Sequence, residues 1–264
     1  MNLENAVHSL GTLESYALRD TIIHRRSAGA KLIAAFVFIV VTISFPNAKP
    51  GALAALFIFP FVLGALSETP PALIVTRLAP ALPFVLLGAA GNMYALKTVV
   101  YAGTFEITQG MLCAVSILLK AILTVSAALI LAATTPFVEL ISALGSFHVP
   151  NIFCLLLGLT YRYITVLSRE ASRILTAYRL RSSLRRPLLR HAGIFLGQFV
   201  LRSFDRAQRV YWAMKCRGFE NGMRRISRPW NVGDLVFLGL QIGLLVSIRF
   251  FNVSAFVGSV WNIQ

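Results

Sequence analysis

The chain has 264 residues, of which 57% are hydrophobic and only 13% charged, yet it carries a formal net charge of +15. That balance excludes disordered and fibrous classes and points to a polytopic α-helical membrane protein. Three cysteines (Cys113, Cys154, Cys216) and four scattered histidines form no C-x-x-C pair or ligand cluster, so neither a disulfide framework nor a zinc site is indicated.

Residues 1–30 are polar and read as no secretory signal. Arg19, Arg25, Arg26 and Lys31 form a cytoplasmic flank of the first apolar run. Candidate spans follow at Ala30–Phe45, Gly51–Leu66, about Ala72–Leu96, about Gly110–Ala133 and, near the end, about Gly233–Val257. The first two are short: sixteen helical residues cover about 24 Å against a hydrocarbon core of about 30 Å. They are expected to extend into their flanks, with Lys31 snorkelling outward. Pro46, Pro50, Pro70 and Pro71 mark turns between antiparallel helices, while Pro60, Pro80 and Pro83 fall inside runs and predict kinks. Gly88, Ala89, Ala90 and Gly91 are small enough for close helix approach, or for a lateral interface with another subunit.

With a basic N-terminal flank inside, 46–50 is outside, 67–71 inside, 97–109 outside and 134–150 inside. The apolar stretch Asn151–Leu167 then breaks parity. If it crossed, the following basic block would lie outside. Residues 169–228 hold fifteen arginines and lysines against Glu170, Asp205 and Glu220, a net +12. Charge at that density cannot sit in hydrocarbon, where one Arg at mid-bilayer costs at least about 2.5–3.5 kcal/mol, and it belongs on the cytoplasmic side.

Asn151–Arg181 is therefore predicted to be one long helix under or along the membrane, started by Pro150, with its N-terminal half buried against the spans. Ile164, Leu167, Ala171, Ile174, Leu175 and Tyr178 follow helical spacing, and Arg162, Arg169 and Arg173 face elsewhere. A second long helix runs from about Ala192 to Arg217, with an apolar stripe of Val200, Phe204, Ala207, Tyr211 and Met214, and stops at Gly218. A short amphipathic segment, Pro136–Phe147, precedes the pair. The expected fold is all-α, a polytopic membrane protein of about five transmembrane helices plus a cytoplasmic module of two long helices and one short one. Three parts are expected: a four-span membrane domain (1–133), the cytoplasmic module (134–232) and a closing span (233–264).

The two long helices end alike, as Ala177-Tyr178-Arg179-Leu180-Arg181-Ser182 and Ala213-Met214-Lys215-Cys216-Arg217-Gly218. Arginines at helix C-termini complement the negative end of the dipole. Two copies within one basic module also read as prongs for a partner, because the guanidinium fork stays charged and binds carboxylates bidentately.

On these residues the chain resembles the transmembrane T component of energy-coupling factor (ECF) transporters, of the cobalt CbiQ type. In that family two Ala-Arg-Gly signatures end two coupling helices, each docking on one ATP-binding-cassette ATPase subunit. Leu180-Arg181-Ser182 matches the first signature in its arginine; Cys216-Arg217-Gly218 matches the second in arginine and glycine. Tyr161-Arg162-Tyr163-Ile164, the stretch from Arg206 to Met214, and His24 with Lys31-Leu32 extend the likeness.

The resemblance implies a non-catalytic importer subunit in the cell inner membrane. It would pass ATP-driven motion from two ATPase subunits, which bind ATP and Mg, to a separate substrate-binding membrane subunit. Cobalt is the expected solute, with nickel or a vitamin as alternatives. Leu180, Arg181, Ser182, Cys216, Arg217 and Gly218 would couple to the ATPases. Ala177, Tyr178, Ala213, Met214 and Lys120 are candidate subunit-interface residues.

Lys120 is an intramembrane charge and so a functional candidate, although pairing with carbonyls of its own chain is the blander reading. Arg77 is expected to snorkel and Glu139 to lie on an exposed helix face. No G-x-x-x-x-G-K-[ST] phosphate loop occurs in the chain, so it is not itself a P-loop ATPase. A stand-alone carrier or channel would bring polar groups together at mid-membrane, where only Lys120 qualifies. A lipid-modifying enzyme would need clustered acids or histidines. Nucleic-acid binding by the basic block is disfavoured by its few exposed aromatics and its place against the membrane.

Overall fold

The computed structural model describes residues 21, 23–46, 53–95, 99–102, 105–181, 192–219 and 231–250. They form helices α1 (Ala28–Ser44), α2 (Ile58–Leu66, entered through a 3-10 turn at Ala55–Phe57), α3 (Pro71–Leu78), α4 (Leu82–Ala95), α5 (Gln109–Thr134), α6 (Phe137–Ser146), α7 (Asn151–Arg181), α8 (Ala192–Cys216) and α9 (Val232–Phe250). The fold is that of an all-α polytopic membrane protein. One element was not anticipated. Residues 97–109, expected as a loop, include an antiparallel hairpin of β1 (Val99–Ala102) and β2 (Phe105–Thr108), with Val99 opposite Thr108 and Ala102 opposite Phe105. Val99, Val100, Ile107 and Thr108 are β-branched and suit a pleated pair.

Among the described residues three helical segments are long and apolar enough to cross a membrane: Gln109–Thr134, Asn151–Tyr178 and Val232–Arg249. A fourth crossing is available if α3 and α4 form one broken span, bent by 58°. The break falls at Pro80, and Pro83 follows in the first turn of α4, so the predicted kink is a lost backbone donor beside a tolerated helix start. The first two runs make shorter apolar helices, Ala28–Ser44 and Ala55–Leu66. Residues 251–257, the end of the last predicted span, lie outside the described residues. Asn151–Tyr178 has the length and composition of a span, although parity had assigned it to the cytoplasmic side.

The chain divides into two compact units. The first contains α1 to α5 and α9. Its core gathers Phe38 and Phe45 of the α1 end, Leu53, Leu56 and Phe59 at the start of α2, Leu123 and Ala127 of α5, and Leu245 of α9. The Phe38 and Phe59 rings stack with centroids 4.0 Å apart. A second cluster joins Ala30 and Ala34 of α1 to Leu238 of α9, where small side chains let the helices approach. Of Gly88, Ala89, Ala90 and Gly91, Ala89 is buried, while a Cβ at Gly88 or Gly91 would meet nothing within 4 Å.

The two ends of α1 fix the direction of its neighbours. At its start, the Ser27 N–H donates to Asp234 Oδ1 of α9 at 3.3 Å, and Lys31 Nζ donates to the Thr134 carbonyl at the end of α5 at 2.9 Å. At its other end, the Arg249 guanidinium near the end of α9 lies 4.9 Å from the centroid of the Phe45 ring. So α9 runs parallel to α1 and α5 antiparallel to it. Lys31 is buried, only 5% exposed, and bonds inward rather than snorkelling. The reason is that its ammonium satisfies the His24 carbonyl as well as that of Thr134. Arg26 pairs with Asp234 at 4.0 Å. Gly233 makes room for this approach, since a Cβ there would collide with the Arg26 guanidinium.

The chain leaves this unit after Thr134 and re-enters it at Asn231, and both points lie beside the start of α1.

Candidate functional site

The second unit contains α6, α7 and α8. Helix α7 has 31 residues, about 46 Å at the usual rise, and its bounds coincide with the predicted ones. Short α6 packs on it, with the Phe137 and Tyr161 rings stacked at 4.7 Å. Ala171 is buried, and Leu167, Ile174, Leu175 and Tyr178 are half-buried, as the helical spacing predicts. Ile164 departs from that stripe and is exposed, as are Ile152, Phe153 and Leu156 in the N-terminal half.

Helix α8 turns a different face inward from the predicted stripe. Val200, Phe204, Ala207 and Tyr211 are exposed, while Phe195, Phe199, Ser203, Val210 and Met214 are half-buried. Phe195 and Phe199 stack on one another, with centroids 6.5 Å apart. A helix with apolar residues on two sides can pack with either, and the Phe195–Phe199 side is the one turned inward. The outward side leaves Phe204, Tyr211 and Trp212 exposed between arginines, with Lys215 Nζ 5.3 Å from the Trp212 ring centroid.

The end of α8 is built in detail. Gly218 has φ +67, its N–H donates to the Lys215 carbonyl at 3.0 Å, and the Phe219 N–H donates to the Met214 carbonyl at 3.1 Å. These paired bonds are a Schellman motif, and only glycine takes the left-handed position without steric cost. The motif fixes Arg217 as the capping residue, with an exposed side chain beside exposed Cys216 and Ala213. On α7, Leu180 is 82% exposed, Ala177 is exposed and Tyr178 half-buried. Arg181 is the last helical residue, and Ser182 lies outside the described residues.

Lys120, in the middle of α5, is not aimed away from its chain. Its Nζ donates to the carbonyls of Phe45 at 2.6 Å and Ile43 at 3.3 Å, capping the C-terminal end of α1. Among the described residues no three His, Cys, Asp or Glu side chains are grouped closely enough to hold a metal ion. Sequence reasoning missed two acids. Glu170 bridges α7 and α8, and Asp234 joins α9 to α1. The spacing Asn231-x-x-Asp234 was a readable signal, because an acid three residues after an Asn cap commonly returns a bond to the cap N–H. Here Asp234 Oδ2 accepts from the Asn231 N–H at 3.2 Å.

Residues 19–230 match the CbiQ family, described as cobalt transport protein. The chain belongs to that family. Among curated relatives, it is 34% identical over 120 residues to the cobalt transport protein CbiQ of Rhodobacter capsulatus, covering 45% of this chain and 49% of that protein. Across 246 residues it is 28% identical to the energy-coupling factor transporter transmembrane protein EcfT of Exiguobacterium sibiricum, covering 85% and 93% of the two chains. It is 31% identical over 121 residues to the nickel permease LarQ of Lactiplantibacillus plantarum, covering 44% and 43%. The chain thus spans about half the length of the CbiQ and LarQ proteins and nearly all of EcfT. Family and helices together make it a multi-pass membrane protein of the CbiQ family.

Proposed function

We propose that this chain is the transmembrane coupling subunit of an ECF-type importer for cobalt. Two ATPase subunits, holding ATP and Mg, engage the ends of α7 and α8 through Leu180-Arg181-Ser182 and Cys216-Arg217-Gly218. Their motion passes along α7 and α8 to the membrane unit, which holds a separate substrate-binding subunit. The observation that carries this reading is the end of α8. A hydrogen-bonded turn presents Arg217 to solvent, next to apolar side chains that are exposed among the described residues.

Topology supports it. Thr134 and Asn231 both lie beside the start of α1, so the crossings between them are even in number. The positive-inside bias then puts the basic module and the start of α1 in the cytoplasm and the chain in the cell inner membrane. Ala177, Tyr178, Ala213 and Met214 border the two ends and would complete the docking surface. Lys120 contributes to an interface indirectly, by fixing the end of α1. Catalysis of ATP hydrolysis belongs to the partners.

Arg181→Ala and Arg217→Ala test the reading. The double variant should insert normally but lose co-purifying ATPase subunits or solute-stimulated ATP turnover. Normal assembly and uptake would overturn it. The similarity to LarQ favours nickel as the alternative solute, and competition between labelled cobalt and nickel in cells decides between them.

A further inference from the structure

Among the described residues of α6, α7 and α8, the acids are Glu139, Glu170 and Asp205. Glu170 is set apart by its two partners. Its Oε1 accepts a hydrogen bond from Arg202 Nη1 of α8 at 2.6 Å, and its Oε2 lies 3.9 Å from Arg173 Nη1, one turn on along α7. A second cross-helix contact lies nearby: the Arg206 guanidinium is 5.5 Å from the centroid of the Tyr163 ring. One turn forward on α8, from Arg202 to Arg206, matches about two turns backward on α7, from Glu170 to Tyr163. The helices therefore pass each other in opposite directions, and these two contacts mark their crossing.

We propose that Glu170 is the clamp of this crossing, a positioning residue that holds α7 and α8 at one angle. The proposal rests on the coupling reading above and adds the part that keeps the two arms together. From the crossing, Arg181 lies eleven residues along α7 and Arg217 fifteen along α8, about 16 Å and about 22 Å at the helical rise. At those lengths a slack of about 10° displaces the longer tip by about 4 Å. An uncontrolled crossing would dissipate a push delivered at the tips.

A charge-assisted bond suits the task, because it is short and directional. Arg202 is more than half exposed, so the pair restrains geometry more than it adds stability. Arg173 makes the clamp releasable. When Arg202 withdraws, the carboxylate keeps a cation on its own helix, and no charge is stranded.

The test uses the full-length chain with Cys113, Cys154 and Cys216 replaced by serine and spin labels at Thr176 of α7 and Gln208 of α8. Pulsed electron resonance should give one narrow distance distribution. Glu170→Gln should broaden it, and the swap Glu170→Arg with Arg202→Glu should narrow it again. In the complex with its ATPase subunits, Glu170→Gln should lower solute uptake per ATP by about two- to fivefold, the Boltzmann weight of an exposed ion pair, with recovery in the swap. An unchanged distribution in Glu170→Gln overturns the clamp. A broadened distribution with unchanged uptake per ATP supports the clamp and overturns the lever reading it was built on.

Discussion

Asp234 at the start of α9 accepts a hydrogen bond from the backbone N–H of Ser27, 207 positions earlier, at the start of α1. Its carboxylate also receives the Asn231 N–H and faces Arg26. Two helix N-termini, each with donors that lack partners inside the helix, thus share one buried acid. Asp234→Ala should leave the buried Ser27 N–H unpaired, at about 1–3 kcal/mol. A thermal-shift measurement in detergent should show a loss of several degrees. Asp234→Asn keeps an acceptor for one N–H and should lose less. Equal melting temperatures for wild type and Asp234→Ala would show that the staple is not needed.

Lys120 makes a separable prediction. Its ammonium caps the Ile43 and Phe45 carbonyls, and Lys120→Met would strand them in an apolar setting, again at about 1–3 kcal/mol. The isolated chain should melt earlier in detergent. If its melting is unchanged while a membrane partner no longer co-purifies, Lys120 acts at the subunit interface directly.

Parallel packing of α1 and α9 predicts topology without reference to charge. Single cysteines at Glu68 and Asn231 should be labelled by an impermeant maleimide from the same side of the membrane. With the positive-inside bias added, both should react in inside-out vesicles. A cysteine at Gly103, between the strands of the hairpin, should react in intact cells. Labelling of Glu68 and Asn231 from opposite sides would contradict the direction assigned to α9.

These contacts also mark the limit of what the sequence carries. The bounds of α7 were readable because Pro150 starts it and its apolar spacing is sustained, and the break at Pro80 was readable because proline removes a donor. Long-range partners were not. Nothing local to Lys120 points to Phe45, and nothing local to Ser27 points to Asp234. The inward face of α8 was ambiguous for another reason. Val200, Phe204 and Tyr211 make as good a helical stripe as Phe195, Phe199 and Val210, and only packing selects between them. The stop of α8 at Gly218 was legible because glycine at a helix end has a conformational cause. The first arginine signature offers no such residue, since Ser182 stands where glycine would be.

That asymmetry gives the last prediction. Gly218 sits at φ +67, a conformation that costs an L-residue about 1–2 kcal/mol. A Cβ there would meet nothing within 4 Å, so crowding is not the issue and Gly218→Ala tests backbone strain alone. The variant should fold and insert, but the turn that holds Arg217 should open part of the time. If the cap serves to present Arg217 to an ATPase subunit, Gly218→Ala should weaken ATPase co-purification, while Gly218→Asn, which tolerates the left-handed region better, should weaken it less. A conservative change on the other arm, Ser182→Ala, should leave association near normal. Association that is indifferent to Gly218→Ala would mean that Arg217 does not need a fixed turn to engage its partner.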